Sequence, residues 1–163
     1  MNPQYIIDGY NLIYHIPKFL SALEQSLELG RNSLIHFIRG YQSSKKLQVT
    51  IVFDGDKVGP IDSPAQSTKW LRIIYSQPPE KADPLIKRLI QNAAHKKNLI
   101  LVTSDQDLVQ FAKNMGAQIL TPDEFYHRAT KPVQQEQLDQ KYDSQVSSAE
   151  IDAWMKLFGE KTE

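Results

Sequence analysis

Short apolar runs alternate with helical patterns along the first 130 residues. The runs cover residues 5–7, 49–53, 71–75, 99–102 and 117–120. Continuous apolar strands that alternate with helices are typical of a parallel sheet covered on both faces. The pattern therefore predicts a three-layer α/β domain with a mostly parallel central sheet of about five strands.

Apolar spacing predicts the helices between these strands. Residues 19–38 carry leucine and isoleucine on one stripe, with Gly30 as the expected break. Asp83-Pro84 begins a helix with proline in its first turn. Cap residues are expected at Thr103-Ser104 (N-cap), Gly116 (C-cap) and Thr121 to Glu124 (capping box).

The composition changes after Pro132. Residues 133–147 are rich in Gln, Ser and Asp, which predicts an extended linker, and an apolar stripe follows at Ile151, Trp154, Met155 and Phe158. We expect this amphipathic C-terminal helix to pack on its own domain, on a second copy in a homodimer, or on another macromolecule as a docking partner. The predicted domains are residues 1–131 and an acidic linker with helix over residues 132–163.

The chain has no net charge, but its two parts differ. Residues 133–163 hold seven acids and three bases, a net of −4, whereas residues 1–132 hold sixteen bases and twelve acids, a net of +4. Neutrality of the whole chain is therefore no argument against an RNA partner.

Several protein classes are excluded by composition. The chain has no cysteine, which rules out disulfide frameworks, thiolate metal sites and cysteine nucleophiles. No apolar run approaches the roughly 20 residues that cross a bilayer, and the first residues lack the features of a signal peptide. The expectation is a cytoplasmic protein with no membrane partner.

Aspartates follow the predicted strands. They are Asp8 after the first strand, Asp54 after the second, Asp83 after the third, and Asp105 and Asp107 after the fourth. All five would lie at the edge where the strands end, which is where sites form in open α/β sheets. One such acid can be an ordinary helix cap, but five repel one another unless a cation is present. Oxygen donors suit Mg²⁺ or Mn²⁺, and such an ion can assist phosphodiester hydrolysis.

Four blocks in order now carry a family resemblance. They are Ile6 to Leu12 (IIDGYNL), Val52 to Gly55 (VFDG), Lys81 to Asp83 (KAD) and Val102 to Asp107 (VTSDQD). They resemble the NYN branch of the PIN-like nucleases, with the YacP-like bacterial subfamily as the nearest likeness, over about residues 4–130. The resemblance implies a PIN-like fold and a Mg²⁺- or Mn²⁺-dependent endoribonuclease that acts on RNA, in some bacterial relatives at the ribosome.

The resemblance also implies roles for single residues. The metal-site acids would be Asp8, Asp83, Asp105 and Asp107, with Asp54 as a further or supporting carboxylate. Asn11 would form hydrogen bonds within the site or orient a phosphate, and Ser104 would support the acids after the fourth strand.

Bases expected beside the acidic edge are candidates for contacts with RNA phosphates. They are Lys57, Lys69, Arg72, Lys81, Lys87 and Arg88. For any single one of them a solvated surface side chain is the first interpretation and RNA contact the second. Lys81 is the favoured candidate because it lies two residues before Asp83.

Two other functions compete with the nuclease. One is an RNA- or ribosome-binding module that does not cut, although such a module has no need of clustered carboxylates. The other is a phospho-acceptor receiver domain with Asp54 as the acceptor. That hypothesis leaves Asp83 and Asp107 unexplained. It also needs a lysine directly after Leu120, where the chain has Thr121.

Overall fold

A single parallel sheet forms the centre of the computed structural model, which describes residues 2–45, 47–55 and 67–131. Within these residues the strands are β1 (Gln4–Asp8), β2 (Gln48–Phe53), β3 (Leu71–Tyr75), β4 (Leu99–Val102) and β5 (Gln118–Leu120). Their order is β3-β2-β1-β4-β5, and every pairing is parallel. The predicted α/β fold and its five strands are confirmed.

Helices cover both faces of the sheet. They are α1 (Gly9–His15), α2 (Pro17–Gln25), α3 (Leu27–Lys45), α4 (Ala82–Asn92), α5 (Gln106–Asn114) and α6 (Pro122–Thr130). Alternate strand residues point to opposite faces. Tyr5 and Ile7 pack in one core with side chains from α1, α2, α3 and α6, whereas Ile6 packs in the other with α4 and α5. These two cores complete the three layers.

The predicted helix over residues 19–38 is wrong in its ends and in its break. The chain forms α1 directly after β1, and it breaks at Ser26 rather than at Gly30. The Ser26 hydroxyl accepts a hydrogen bond from the Leu29 N–H at 3.0 Å and so caps α3. Gly30 lies inside α3 against Leu23 of α2, where a Cβ would collide with that residue. Glycine there permits close helix packing.

The predicted caps fare differently. Thr103-Ser104 is not the N-cap of α5, because Asp105 takes that position and accepts the N–H groups of Asp107 and Leu108. The capping box is confirmed, since Thr121 Oγ1 accepts the Glu124 N–H at 3.1 Å and Glu124 Oε1 accepts the Thr121 N–H at 3.3 Å. Gly116 has a φ of +90° directly after α5, which confirms the predicted C-terminal stop.

The tail remains a prediction. The chain divides into two units, residues 1–129 and 130–163, and nearly all of the second falls outside the described residues, as do the predicted C-terminal helix and Lys57. In the described part, no helix combines the length and the apolar character needed to cross a membrane.

Candidate active site

The candidate site lies at the carboxyl ends of β1 and β4. The chain builds β2 and β3 on one side of β1 and then returns to place β4 on the other side. At such a switch point the following segments diverge and leave a crevice outside the strand ends. Asp8 is the last residue of β1 and is 9% exposed, so it forms the floor of this crevice.

Gly9 explains how α1 can begin directly after Asp8. A Cβ at this position would collide with the ring of Phe53 and would lie 3.0 Å from the Val52 carbonyl oxygen. Glycine therefore lets the first turn of α1 pass close over the end of β2. Asp8 thus ends β1, and Gly9 begins α1 without an intervening loop.

Thr103 links the two strands across the crevice. Its hydroxyl donates a hydrogen bond to Asp8 Oδ2 at 3.1 Å and accepts one from the Asp105 N–H at 3.1 Å. Thr103 is fully buried. The hydroxyl therefore fixes the Asp8 carboxylate and the backbone at Asp105 relative to each other.

Asp54 connects β2 to α4. Its Oδ1 accepts a hydrogen bond from the Ala82 N–H, the first residue of α4, at 2.6 Å. A carboxylate from another element thus caps this helix, and the macrodipole favours that negative charge. Asp83, in the first turn of α4, is held next to the crevice as a result.

The pKa values place Asp8, Asp54, Asp83 and Asp105 in one electrostatic environment, to which Asp107 contributes through Asp83. Burial raises the pKa of Asp8 to about 7, with Asp83, Asp54 and Asp105 adding to the rise and the Thr103 hydrogen bond opposing it. Burial likewise raises the pKa of Asp83, and its largest electrostatic contributions come from Asp105 and Asp54. The structure thus gathers Asp8, Asp54, Asp83 and Asp105.

Asp107 lies at the margin of this group. Its Oδ2 forms an ion pair with Lys87 Nζ at 2.8 Å, and its side chain is 75% exposed. The hydrogen bond that Lys87 donates to Asp107 is the main cause that raises the pKa of Lys87, with the charges of Asp107, Asp83 and Asp105 contributing. Lys87 therefore places a positive charge beside the aspartates, and Asp107 holds it there.

Asn11 and Ser104 bind each other. Asn11 Oδ1 accepts the Ser104 N–H at 2.8 Å, and Asn11 Nδ2 donates to Ser104 Oγ at 2.9 Å. The paired amide joins α1 to the loop after β4. This places Asn11 in a positioning role within the site, the first of its two expected roles.

The candidate RNA-binding residues separate into two groups. Lys81 and Lys87 lie beside the aspartates, and Arg88 pairs with Glu80 next to them. The expected position beside the acidic edge is wrong for Lys69 and Arg72. They lie where β3 begins, at the opposite edge of the sheet. The position of Lys57 falls outside the described residues.

Two side chains at this edge, Thr103 and Arg31, were not predicted as part of the site from the sequence. Thr103 was expected only as a helix cap, although a hydroxyl at a strand end was a visible signal. Arg31 comes from α3, donates to the Tyr10 hydroxyl at 2.9 Å and lies 5.6 Å from the Tyr75 ring centre. No local pattern indicates that contact, because α3 reaches the strand ends only through tertiary packing.

The acidic side chains at this edge offer oxygen donors for a divalent cation. Within the described residues, no three Asp, Glu or His side chains converge as a ready-made metal site. The nearby donors are nonetheless carboxylate oxygens whose repulsion a cation would relieve. Mg²⁺ commonly uses one or two carboxylates and keeps several of its waters. The residues fit an ion held in that way.

A model of a known protein family matches most of this chain. The model of the YacP-like NYN domain matches residues 5–158. The chain belongs to the YacP-like NYN domain family. The match extends past residue 130, where the four-block resemblance ended, into the tail. Membership in this branch of the PIN-like nucleases indicates a nuclease.

Individual YacP relatives support the assignment. The uncharacterized protein YacP of Bacillus subtilis strain 168 is 31% identical over 86 residues, which are 53% of this chain and half the length of that relative. A crystal structure of a mutant of Rae1 (YacP) from Bacillus subtilis has a TM-score of 0.65 at 25% identity and covers 92% of this chain and 89% of its own. A second Rae1 (YacP) structure, at 23% identity and a TM-score of 0.61, covers 99% and 90% and shares the fold.

Proposed function

We propose that this YacP-like NYN protein is a metal-dependent endoribonuclease that hydrolyses RNA phosphodiester bonds at the Asp8 crevice. The observation that carries the proposal is the buried Asp8 carboxylate, whose pKa is raised to about 7 by burial and by three further aspartates. Perturbed carboxylates in a crevice are typical of functional sites. Membership in the NYN family supports a nuclease among the possible activities.

Mg²⁺ or Mn²⁺ is the proposed cofactor. Asp8, Asp83 and Asp105 are the proposed donors, directly or through waters of the ion, since they come from three elements and share one electrostatic environment. Asp54 is already engaged at the N-terminus of α4, and Asp107 with Lys87, so both act chiefly as supporting residues. When bound, the ion lowers the pKa of an attacking water and stabilises negative charge at phosphorus.

The protein side chains position these groups. Thr103 orients the Asp8 carboxylate, and the Asn11–Ser104 pair fixes the loop that carries Asp105. Lys81 is exposed at the start of α4, and Lys87 is held beside Asp83. Both lysines are suited to contact phosphates of the bound strand. RNA is thus the proposed substrate, with mRNA on the ribosome as its proposed cellular form.

The test measures cleavage of end-labelled RNA with Mg²⁺ or Mn²⁺, with EDTA as the metal-free control. The variants Asp8→Asn and Asp83→Asn are expected to lose at least 100-fold in rate while they remain folded. Asp123→Asn is the matched control, because Asp123 is an exposed acid at the start of α6 and is not among the residues that raise the pKa of Asp8 or Asp83. It should cleave like the wild type.

The same assay is repeated in a translating extract, where messenger cleavage is mapped by primer extension. Metal-dependent cuts that vanish in Asp8→Asn support the proposal in either setting. Equal cleavage by wild type and Asp8→Asn would place the chemistry elsewhere.

A non-cleaving RNA- or ribosome-binding module is the second candidate. It is favoured by the finding that no three potential ligands converge in the described residues. RNA binding in EDTA without metal-dependent cleavage, either on free RNA or in the extract, would support this second function and overturn the first.

A further inference from the structure

The described acids and bases are segregated between the two edges of the sheet. We call the edge where the strands begin the amino edge; its described segments are residues 2–4, 45 and 47–48, 67–72, 92–99 and 113–118. These segments contain no aspartate or glutamate. Their bases are Lys45, Lys69, Arg72, Lys96, Lys97 and Lys113. The described residues of the amino edge therefore carry a net positive charge, on the opposite side from the aspartates.

A cavity of about 300 Å³ opens at this edge, between the sheet and α4. It lies in the size range of small ligand pockets. Arg72 and Thr50 are paired in register and point to the same face, and Asn92 faces them from the end of α4. The remaining polar lining residues are Gln4 and Gln48, whose amides bond each other at 2.9 Å. Among the described residues, the lining contains one cation and several amides, and it contains no acid.

Hydrogen bonds order the backbone of the segment that leads into β3 and carries Lys69. Thr68 Oγ1 accepts the Leu71 N–H at 3.1 Å, and the Val49 N–H donates to the Trp70 carbonyl at 2.8 Å. The Lys69 ammonium lies 5.1 Å from the ring centre of Trp70. Lys69 and Arg72 therefore sit on an ordered segment beside the cavity.

Helix termini explain only part of this charge. Lys96 donates to the Ala93 carbonyl at the end of α4 at 3.1 Å, which is an ordinary interaction of a cation with a helix C-terminus. Lys69 and Arg72 precede or lie within an edge strand, so no helix dipole accounts for them. An arginine beside amides offers both phosphate contacts and base-edge hydrogen bonds, a combination that suits RNA better than an acidic peptide.

We propose that the amino edge is a second RNA-binding surface, in which Lys69, Arg72 and the adjoining cavity bind the backbone of an RNA segment away from the cleaved bond. Five strand residues separate the two edges by about 16 Å. A phosphate held there is therefore not the phosphate at the cleaved bond, and the surface would favour long or folded RNA. The choice of RNA as the partner rests on the proposed nuclease function.

The experiment measures binding of the full chain to a labelled stem-loop RNA in EDTA, by fluorescence anisotropy over a range of salt concentrations. Lys69→Gln/Arg72→Gln is compared with Lys18→Gln/Arg39→Gln, which removes two exposed bases from the helices on the other face. The first variant should bind about tenfold more weakly, with a salt slope reduced by about 1.4 for two lost contacts to single-stranded phosphates. The control should bind like the wild type.

Cleavage of a short oligonucleotide is measured in parallel and should be unchanged in Lys69→Gln/Arg72→Gln. Unchanged affinity and salt slope in that variant would overturn the proposal, as would a wild type that binds polyglutamate but not the RNA. Because binding is measured without metal, the binding result does not depend on cleavage. A failure of cleavage alone would therefore count against the proposed nuclease and not against the second RNA-binding surface.

Discussion

Thr103 Oγ1 donates a hydrogen bond to Asp8 Oδ2 at 3.1 Å, although the two residues are 95 positions apart in the chain. The pair joins the ends of β1 and β4 at the point where the strand order reverses. It lowers the pKa of Asp8 against the opposing effects of burial and neighbouring acids. Thr103 therefore favours the ionised form of the carboxylate that a cation requires.

Replacing Thr103 by valine tests this role. Loss of the hydroxyl should destabilise the protein by about 2 kcal/mol and raise the pKa of Asp8 further. The acid limb of the cleavage profile should then move to higher pH, because less Asp8 is ionised at a given pH. Thr103→Ser retains the hydroxyl and should restore the profile. A pH profile identical in Thr103→Val and wild type would contradict the role.

The raised pKa of Asp8 also predicts how stability depends on pH without metal. The folded state holds the Asp8 proton up to about pH 7, whereas the unfolded state releases it near 3.8. The folded state binds more protons between these values, so the free energy of unfolding should fall by about 4 kcal/mol as pH rises across that window.

Urea unfolding of wild type and Asp8→Asn at pH 4 and pH 8 measures this slope. The variant should lack it and should be the more stable protein at pH 8. Added Mn²⁺ should stabilise the wild type at pH 8 more than the variant, since binding to the folded state shifts unfolding. Equal slopes in the two proteins would contradict the raised pKa.

Two variants of Asp54 distinguish its role as a helix cap from its role as a negative charge in the site. Asp54→Ala removes the acceptor for the Ala82 N–H and should cost about 1 kcal/mol in stability. Asp54→Asn keeps an oxygen acceptor and should retain most of that stability while it loses the negative charge. Thermal denaturation and cleavage rates of the two variants are compared. A loss of cleavage in Asp54→Asn as large as in Asp8→Asn would make Asp54 a ligand rather than a cap.

Asp107 should contribute less to cleavage than the buried aspartates. It is exposed and paired with Lys87, so Asp107→Asn should lower the rate by less than about tenfold and leave the stability nearly unchanged. Lys87→Met is the companion variant and should chiefly raise KM if the lysine contacts RNA. A 100-fold loss in Asp107→Asn would restore it as a metal ligand.

Gly9 is expected to be intolerant of substitution. Gly9→Ala places a methyl group against Phe53 and the Val52 carbonyl, which should cost about 2 kcal/mol or more. Gly40→Ala is the matched control, because a Cβ there meets nothing within 4 Å and alanine favours the helix. Thermal denaturation should show opposite shifts for the two variants.

Local chemistry in the sequence was enough to predict the fold and the family. Apolar runs placed all five strands, because a strand buried on both faces must be apolar throughout. The capping box at Thr121 and the stop at Gly116 are also local, since the bonded groups are a few residues apart. The order of the four blocks identified the NYN family before any contact was known.

Only the tertiary structure decided how the candidate site is assembled. The sequence predicts five aspartates at one edge of the sheet. Packing buries Asp8, engages Asp54 with α4 and leaves Asp107 exposed beside Lys87. The direction of β3 likewise moved Lys69 and Arg72 to the opposite edge. Burial and long-range contacts determine a carboxylate's pKa and partners, and neither is encoded in its immediate neighbours. The sequence by itself determined which groups are available, and the packing of the strands and helices decided which of them meet.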